Sequence, residues 1–154
     1  MNYINKRNIE QFFNYYGLPF NDKPYNQFIL TILILSLFIS DNITEFIKLL
    51  IANLLGIYII VIIKNELKTS RPINCENTHL NYCPNSYDIP SGHSFIALFW
   101  LLVLMNKNIK YSKILEIYLL FIPLSRYLSK LHSLMAVIVG SILGVFWYLI
   151  YNLF

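Results

Sequence analysis

Residues 43–63 read ITEFIKLLIANLLGIYIIVII, and Lys64 follows directly. Crossing a bilayer core takes about 20 predominantly apolar residues, with about 17 as the lower limit, and this run qualifies outright. In lipid a segment must satisfy its own backbone hydrogen bonds, so the run predicts a helix closed by Lys64. Leu134 to Phe154 is a second run of spanning length. Tyr25 to Ser40 is borderline. Ser94 to Met105 and Ile114 to Leu124 reach the limit once their flanks, Pro90 to Asn106 and Tyr111 to Tyr127, are helical too. The five segments together predict an all-α integral membrane bundle of about five transmembrane helices.

The rest of the composition agrees. The chain has 154 residues, enough for one domain, and its 56% hydrophobic share exceeds that of ordinary soluble domains. A formal charge of +4 raises the question of nucleic acid. The Lys and Arg residues are scattered between apolar runs and form no basic face, so nucleic acid is not an expected partner. Met1 to Asp22 lacks the continuous apolar core of a secretory signal, and targeting is expected from the first internal span. Residues 1–24 divide off as an amino-terminal segment and residues 25–154 as the membrane helical domain. In the former, Ile9, Phe12, Phe13 and Tyr16 lie on one helical face opposite Lys6, Arg7 and Glu10, the pattern of an interfacial helix or of a frayed tail.

Short connections at Asp41-Asn42 and from Asn106 to Ser112 force antiparallel neighbours. The loop from Asn65 to Ile89 is long and aperiodic, which points to function or disorder. It holds both cysteines, Cys75 and Cys83, and is compatible with a disulfide or with two free thiols. With His79 nearby, a fourth ligand and the usual close Cys spacing are missing, so no metal site is expected. In an alternating bundle the ends that carry Lys64, His93, Arg126 and His132 share one face, under the loop that carries Arg71. Lys and Arg outside the site divide almost evenly between the two faces, so the positive-inside rule leaves the orientation and compartment open. An Asn42-Ile43-Thr44 glycosylation signature would lie on the opposite face, too close to a span to be used.

Three polar clusters interrupt the apolar chain: Lys64 with Arg71-Pro72, Pro90-Ser91-Gly92-His93, and Ser125-Arg126 with His132. A phosphomonoester carries close to two negative charges, and its transfer is catalysed mainly by fixed cations and aimed donors. Lys64, Arg71 and Arg126 form a candidate clamp, the arginines by bidentate forks and the lysine as a compact charge. The Ser91 hydroxyl and Gly92 N–H add donors at a helix start, where the dipole favours an anion and Gly92 allows close approach. Taken singly, each has a plainer reading: cations snorkel at helix ends, Pro90 starts a helix and Ser91 caps it. The combination on ends that share one face favours a phosphate site.

These residues resemble the type 2 phosphatidic acid phosphatase, or lipid phosphate phosphatase, superfamily, whose pattern is K-x6-R-P, then P-S-G-H, then S-R-x5-H-x3-D. The match runs from Lys64 to Gly140, and the hydrophobicity favours the membrane branch over soluble acid phosphatases and haloperoxidases. The resemblance implies a metal-independent, cofactor-free phosphatase with His132 as nucleophile and His93 as general acid. Lys64, Arg71, Ser91, Gly92 and Arg126 would bind phosphate. The substrate class would be a lipid phosphate or isoprenoid diphosphate, with the lipid itself and the oligomeric state unassigned. Two departures stand out. Only five spans can be drawn against the usual six, and Ala136 stands where the third motif has an aspartate.

That aspartate would orient His132 and stabilise its positive charge; in the worked serine-protease triad its counterpart contributes about ten-thousandfold in turnover. Glu116 is expected at the opposite face, and Asp88 lies near His93 in sequence with its reach left open. Three readings follow: a working phosphatase or phosphotransferase, a catalytically impaired relative that binds lipid phosphate or a membrane partner, and, third because it leaves the motif set unexplained, a non-enzymatic structural membrane protein. Ala136→Asp, placed at i+4 from His132, is expected to raise turnover if His132 is already aimed at the pocket.

Overall fold

The computed structural model describes residues 25–72, 86–107 and 112–154, with residues 25–31 described by backbone alone. The interfacial segment and the Cys75, His79 and Cys83 cluster lie outside the described residues. Among these there are five helices and no strand: α1 (Tyr25–Ile39), α2 (Ile43–Leu67), α3 (Gly92–Lys107), α4 (Ser112–Leu128) and α5 (Leu134–Leu153). All five predicted segments are helical. Two helices, α2 and α5, are long and apolar enough to cross a membrane by length and composition. The others are shorter, at 15 residues in α1, 16 in α3 and 17 in α4.

Capping sets the ends of α2. Asn42 is extended and its side chain accepts from the Glu45 N–H at 2.9 Å, while the Glu45 carboxylate accepts from the Asp41 N–H at 2.8 Å. The helix runs one turn past the apolar stretch and stops at Lys68, whose φ of 46° is left-handed. The Lys68 N–H still donates to the Lys64 carbonyl, 3.0 Å away, and the helical pattern ends there. Lys64 is thus in the last turn of α2 rather than at its tip.

α3 is the central helix and packs against both α4 and α5. Phe95, Ile96, Phe99, Trp100, Val103 and Leu104 are all buried, so it is covered on nearly every side, as a helix that is apolar all round must be. Its approach to α5 is very close: a Cβ on Gly140 or Gly144 would come within 2.3 Å of the Ser91 or Phe95 carbonyl oxygen. Small residues on one stripe let two backbones pack this tightly. α2 is fixed to α3 by Trp100, whose indole N–H donates to Asn53 at 3.0 Å, and to α5 by Trp147, which donates to the Ala52 carbonyl at 2.9 Å.

The two ends of the bundle differ in polarity. At one end Lys107, the last residue of α3, pairs with Asp41 at 2.6 Å and Glu45 at 2.5 Å, and Glu116 accepts from Ser112 and pairs with Lys113. The α1–α2 turn and the α3 and α4 ends nearest it therefore lie together, as the alternating topology predicts. The opposite end gathers the motif residues.

Candidate active site

His132 lies in the turn between α4 and α5. The turn forms because α4 unwinds through Ser129 and Lys130, with Lys130 left-handed at φ 57° and its N–H donating to the Tyr127 carbonyl at 2.9 Å. The Ser129 hydroxyl donates to the Ser125 carbonyl at 2.7 Å, satisfying an end-of-helix acceptor. The His132 N–H then reaches back to the Arg126 carbonyl at 3.2 Å, so the arginine of the third motif anchors the backbone of its histidine. α5 itself is capped by Ser133, whose side chain accepts from the Ala136 N–H at 3.1 Å. His132 therefore precedes the cap instead of opening the helix. Spacing of four to Ala136 does not place the two on one helical face, and the i to i+4 expectation is corrected accordingly.

The imidazole is 3% exposed and held at both nitrogens. Nδ1 is 2.8 Å from Asp88 Oδ1, and Nε2 is 3.3 Å from an Arg71 guanidinium nitrogen. A guanidinium only donates and an ionised carboxylate only accepts, so the pair of contacts selects one tautomer. The proton sits on Nδ1 toward Asp88, and the Nε2 lone pair faces Arg71. Burial lowers the basicity of the ring most, the Asp88 hydrogen bond and charge oppose it, and the charges of Arg71 and Lys64 reinforce it. The result is about 4, against 6.5 for an unperturbed imidazole. Asp88 is 2% exposed. Burial pushes its carboxyl up, but the hydrogen bonds from His132 and Ser133 and the imidazole charge outweigh this and hold it below the ordinary value. At neutral pH the site holds an ionised carboxylate and a neutral imidazole.

The loop that carries Asp88 is latched by the first motif. Lys64 Nζ donates to the Tyr87 carbonyl at 2.8 Å. Arg71 donates to the Ser86 carbonyl at 2.7 Å, to the Ser86 hydroxyl at 2.6 Å and to the Leu131 carbonyl at 2.7 Å. The Asp88 N–H donates to the Thr69 carbonyl, and the Ile89 N–H to the Thr69 hydroxyl, both at 2.9 Å. Lys64, Arg71 and His132 are thus brought together, and Thr69, Ser86 and Asp88 join them.

The second motif is tied to α5 through the Ser91 N–H, which donates to the Ala136 carbonyl at 2.9 Å. Ser91 is fully buried and caps α3, its hydroxyl accepting from the Ser94 hydroxyl at 3.0 Å. Gly92 and the half-buried His93 form the first turn of α3. A Cβ on Gly92 would meet only Ile60, at an ordinary 3.6 Å, so packing alone does not require glycine there. Arg126 is 4% exposed in the last turn of α4. Asp88 is the residue that motif reading missed. Its signal was a carboxylate two positions before Pro90, with nothing local to show that it reaches a histidine 44 positions away.

No curated protein and no solved structure matches this chain. The family model described as the PAP2 superfamily matches residues 29–154, which include every site residue named above.

Proposed function

The chain belongs to the PAP2 superfamily, whose members are generally phosphatases, and on that premise we propose a membrane phosphatase or phosphotransferase that works on lipid phosphates or diphosphates through a phosphohistidine. The observation that carries the reading is the His132 ring. It is neutral and buried, its Nε2 lone pair lies 3.3 Å from Arg71, and Lys64 acts on it electrostatically. A nucleophile and part of its anion clamp are therefore assembled at one point.

A phosphoryl oxygen that takes over the Arg71 donor leaves the Nε2 lone pair facing phosphorus. Nε2 then forms a P–N bond while the P–O bond to the leaving group breaks, and His93 gives that oxygen a proton. The Nδ1–H stays in place and the imidazole carries the positive charge. In the second half a water or acceptor alcohol gives its proton to His93 and attacks phosphorus, and the P–N electrons return to Nε2. Lys64, Arg71 and Arg126 offset charge on the equatorial oxygens. The Gly92 N–H, unobstructed by a side chain, adds a donor.

A membrane setting is supported by α2 and α5 and by the apolar residues they turn outward, including Tyr58 at 63% exposure and Ile142 at 62%. Soluble monomers rarely expose contiguous apolar patches beyond a few hundred square ångströms. In this reading all five helices lie in the bilayer, with the site at one head-group level. The impaired-relative reading rested on the lack of an acid at His132, and Asp88 at 2.8 Å from the ring supports the active reading over it.

The test is phosphate release by purified protein from phosphatidic acid, a sphingoid phosphate and an isoprenoid diphosphate, with EDTA present. Turnover should persist with chelator, vanish in His132→Ala and pass through an acid-labile, alkali-stable phosphoprotein. Activity lost to EDTA and restored by magnesium, or retained at full level in His132→Ala, would overturn the mechanism.

A further inference from the structure

We propose that Asp88 is the positioning residue of His132, doing from a loop what the family resemblance would assign to a carboxylate at position 136; this rests on the phosphatase reading above. Three independent features of the geometry carry it. The Asp88 Oδ1 to His132 Nδ1 separation is 2.8 Å between two side chains that are each 3% exposed. Both carboxylate oxygens also lie 3.3 Å from the Ser133 N–H, so the group faces the turn that presents the nucleophile. Finally, the Asp88 backbone is held by Thr69, and its neighbours Ser86 and Tyr87 are held by Arg71 and Lys64.

This last point gives the arrangement its logic. A carboxylate on α5 would be placed by its helix, whereas one on a loop needs external struts. Here the struts are residues of the first motif or its immediate neighbourhood. The cations proposed to clamp phosphate also hold in place the acid that aims the nucleophile. Position 136 is meanwhile fully buried, with its carbonyl and N–H already engaged by Ser91 and Ser133.

In the reaction Asp88 touches neither substrate nor the reacting nitrogen. It keeps the single imidazole proton on Nδ1, leaving Nε2 free to form the P–N bond, and it faces the positive charge that the ring gains when that bond forms. Asp88→Asn nearly preserves shape. Its amide, when turned to donate, meets Nδ1 as an acceptor and favours the proton on Nε2, where the ring cannot attack.

The experiment compares wild type, Asp88→Asn and His132→Ala on phosphatidic acid in detergent micelles with EDTA, alongside nitrogen-15 NMR of labelled histidine. For Asp88→Asn the expected fall in kcat is on the order of 100- to 10,000-fold, by analogy with the serine-protease triad. KM should stay within about threefold, because phosphate binding lies with the cations. A merely structural role would not give this split. The NMR should show wild-type His132 protonated at Nδ1, with that state diminished in the variant. If Asp88→Asn keeps wild-type kcat while His132→Ala is inactive, the phosphatase stands and the role of Asp88 falls. A wild-type ring protonated at Nε2 overturns it even if the variant fails to fold. Absence of wild-type turnover on phosphatidic acid, a sphingoid phosphate and an isoprenoid diphosphate alike removes the phosphatase reading and, with it, this one.

Discussion

Ala136 shows how a single side chain can mislead when its surroundings are unknown. Its lack of an acid predicts that Ala136→Asp improves a slow enzyme, but the Nδ1 proton of His132 already has Asp88 as acceptor at 2.8 Å. One proton cannot serve two carboxylates, and a second buried acid beside the first brings repulsion. Ala136→Asp alone should therefore give no gain in kcat. In an Asp88→Ala background it should not restore kcat either, since His132 precedes the Ser133 cap and shares no helical face with position 136. Steady-state kinetics of the four proteins checks this; a gain in the wild-type background would show that Asp88 does not orient the ring. The motif residues themselves were legible because their types and spacings are local. Asp88 was not, because its partner is brought to it by two chain reversals, at Lys68 and Lys130, that no hydropathy pattern reveals.

Among the helices, the seam between α3 and α5 is the contact on which the site depends. At Gly140 an added Cβ would lie 2.3 Å from the Ser91 carbonyl oxygen and 3.1 Å from the Ser91 nitrogen. Those are backbone atoms and cannot swing aside. Gly56 would also be crowded, at 2.7 Å from Phe95 and 2.9 Å from Trp147, but by side chains with some freedom to move. Overpacking usually costs about 1–3 kcal/mol. Gly140→Ala should sit at or beyond the upper end and lose activity in the fraction that still folds, because Ser91 to His93 are displaced; Gly56→Ala should be milder on both counts. Thermal unfolding in detergent and kcat on the folded fraction decide, and equal effects at the two sites would contradict the backbone argument. All five helices were readable from apolar runs. The starts of α2 and α5, at Ile43 and Leu134, were readable as well, whereas α2 runs past its apolar stretch to Leu67 and is stopped by Lys68 in a conformation usually left to glycine.

For the molecule as a whole, the buried pair makes stability depend on pH. An unfolded chain protonates His132 as pH falls through about 6.5, whereas the folded chain does so only near 4. Between those values the unfolded state binds more protons, so stability falls as pH is lowered from about 6.5 to about 4. The full effect is about 3 kcal/mol at most. Asp88, held below its usual range, adds stability that is present above its unfolded value of 3.8 and is lost as pH falls further through its folded value. Unfolding midpoints from pH 8 to pH 4 should decline in wild type and decline less in His132→Ala; parallel curves would contradict the assignment. The gathering of the motif residues at one end of the bundle was legible from the alternation of short turns and apolar runs, whereas the ion pairs of Lys107 at the other end were not.

In the proposed membrane setting, the brevity of α3 bears on the choice of substrate. Its 16 residues rise about 24 Å, while a bilayer core is about 30 Å thick. If all five helices lie in the bilayer, as proposed, and Lys107 with its acidic partners marks one head-group plane, the His93 end stops several ångströms short of the other. Either the bilayer thins locally around the protein or the reaction centre is sunk below the surface, in a dimple that a water-soluble phosphate ester must descend into but that an amphiphile, already seated at that depth, meets by sliding sideways. Hydrophobic mismatch would then favour lipid substrates before any contact with the acyl chain is made.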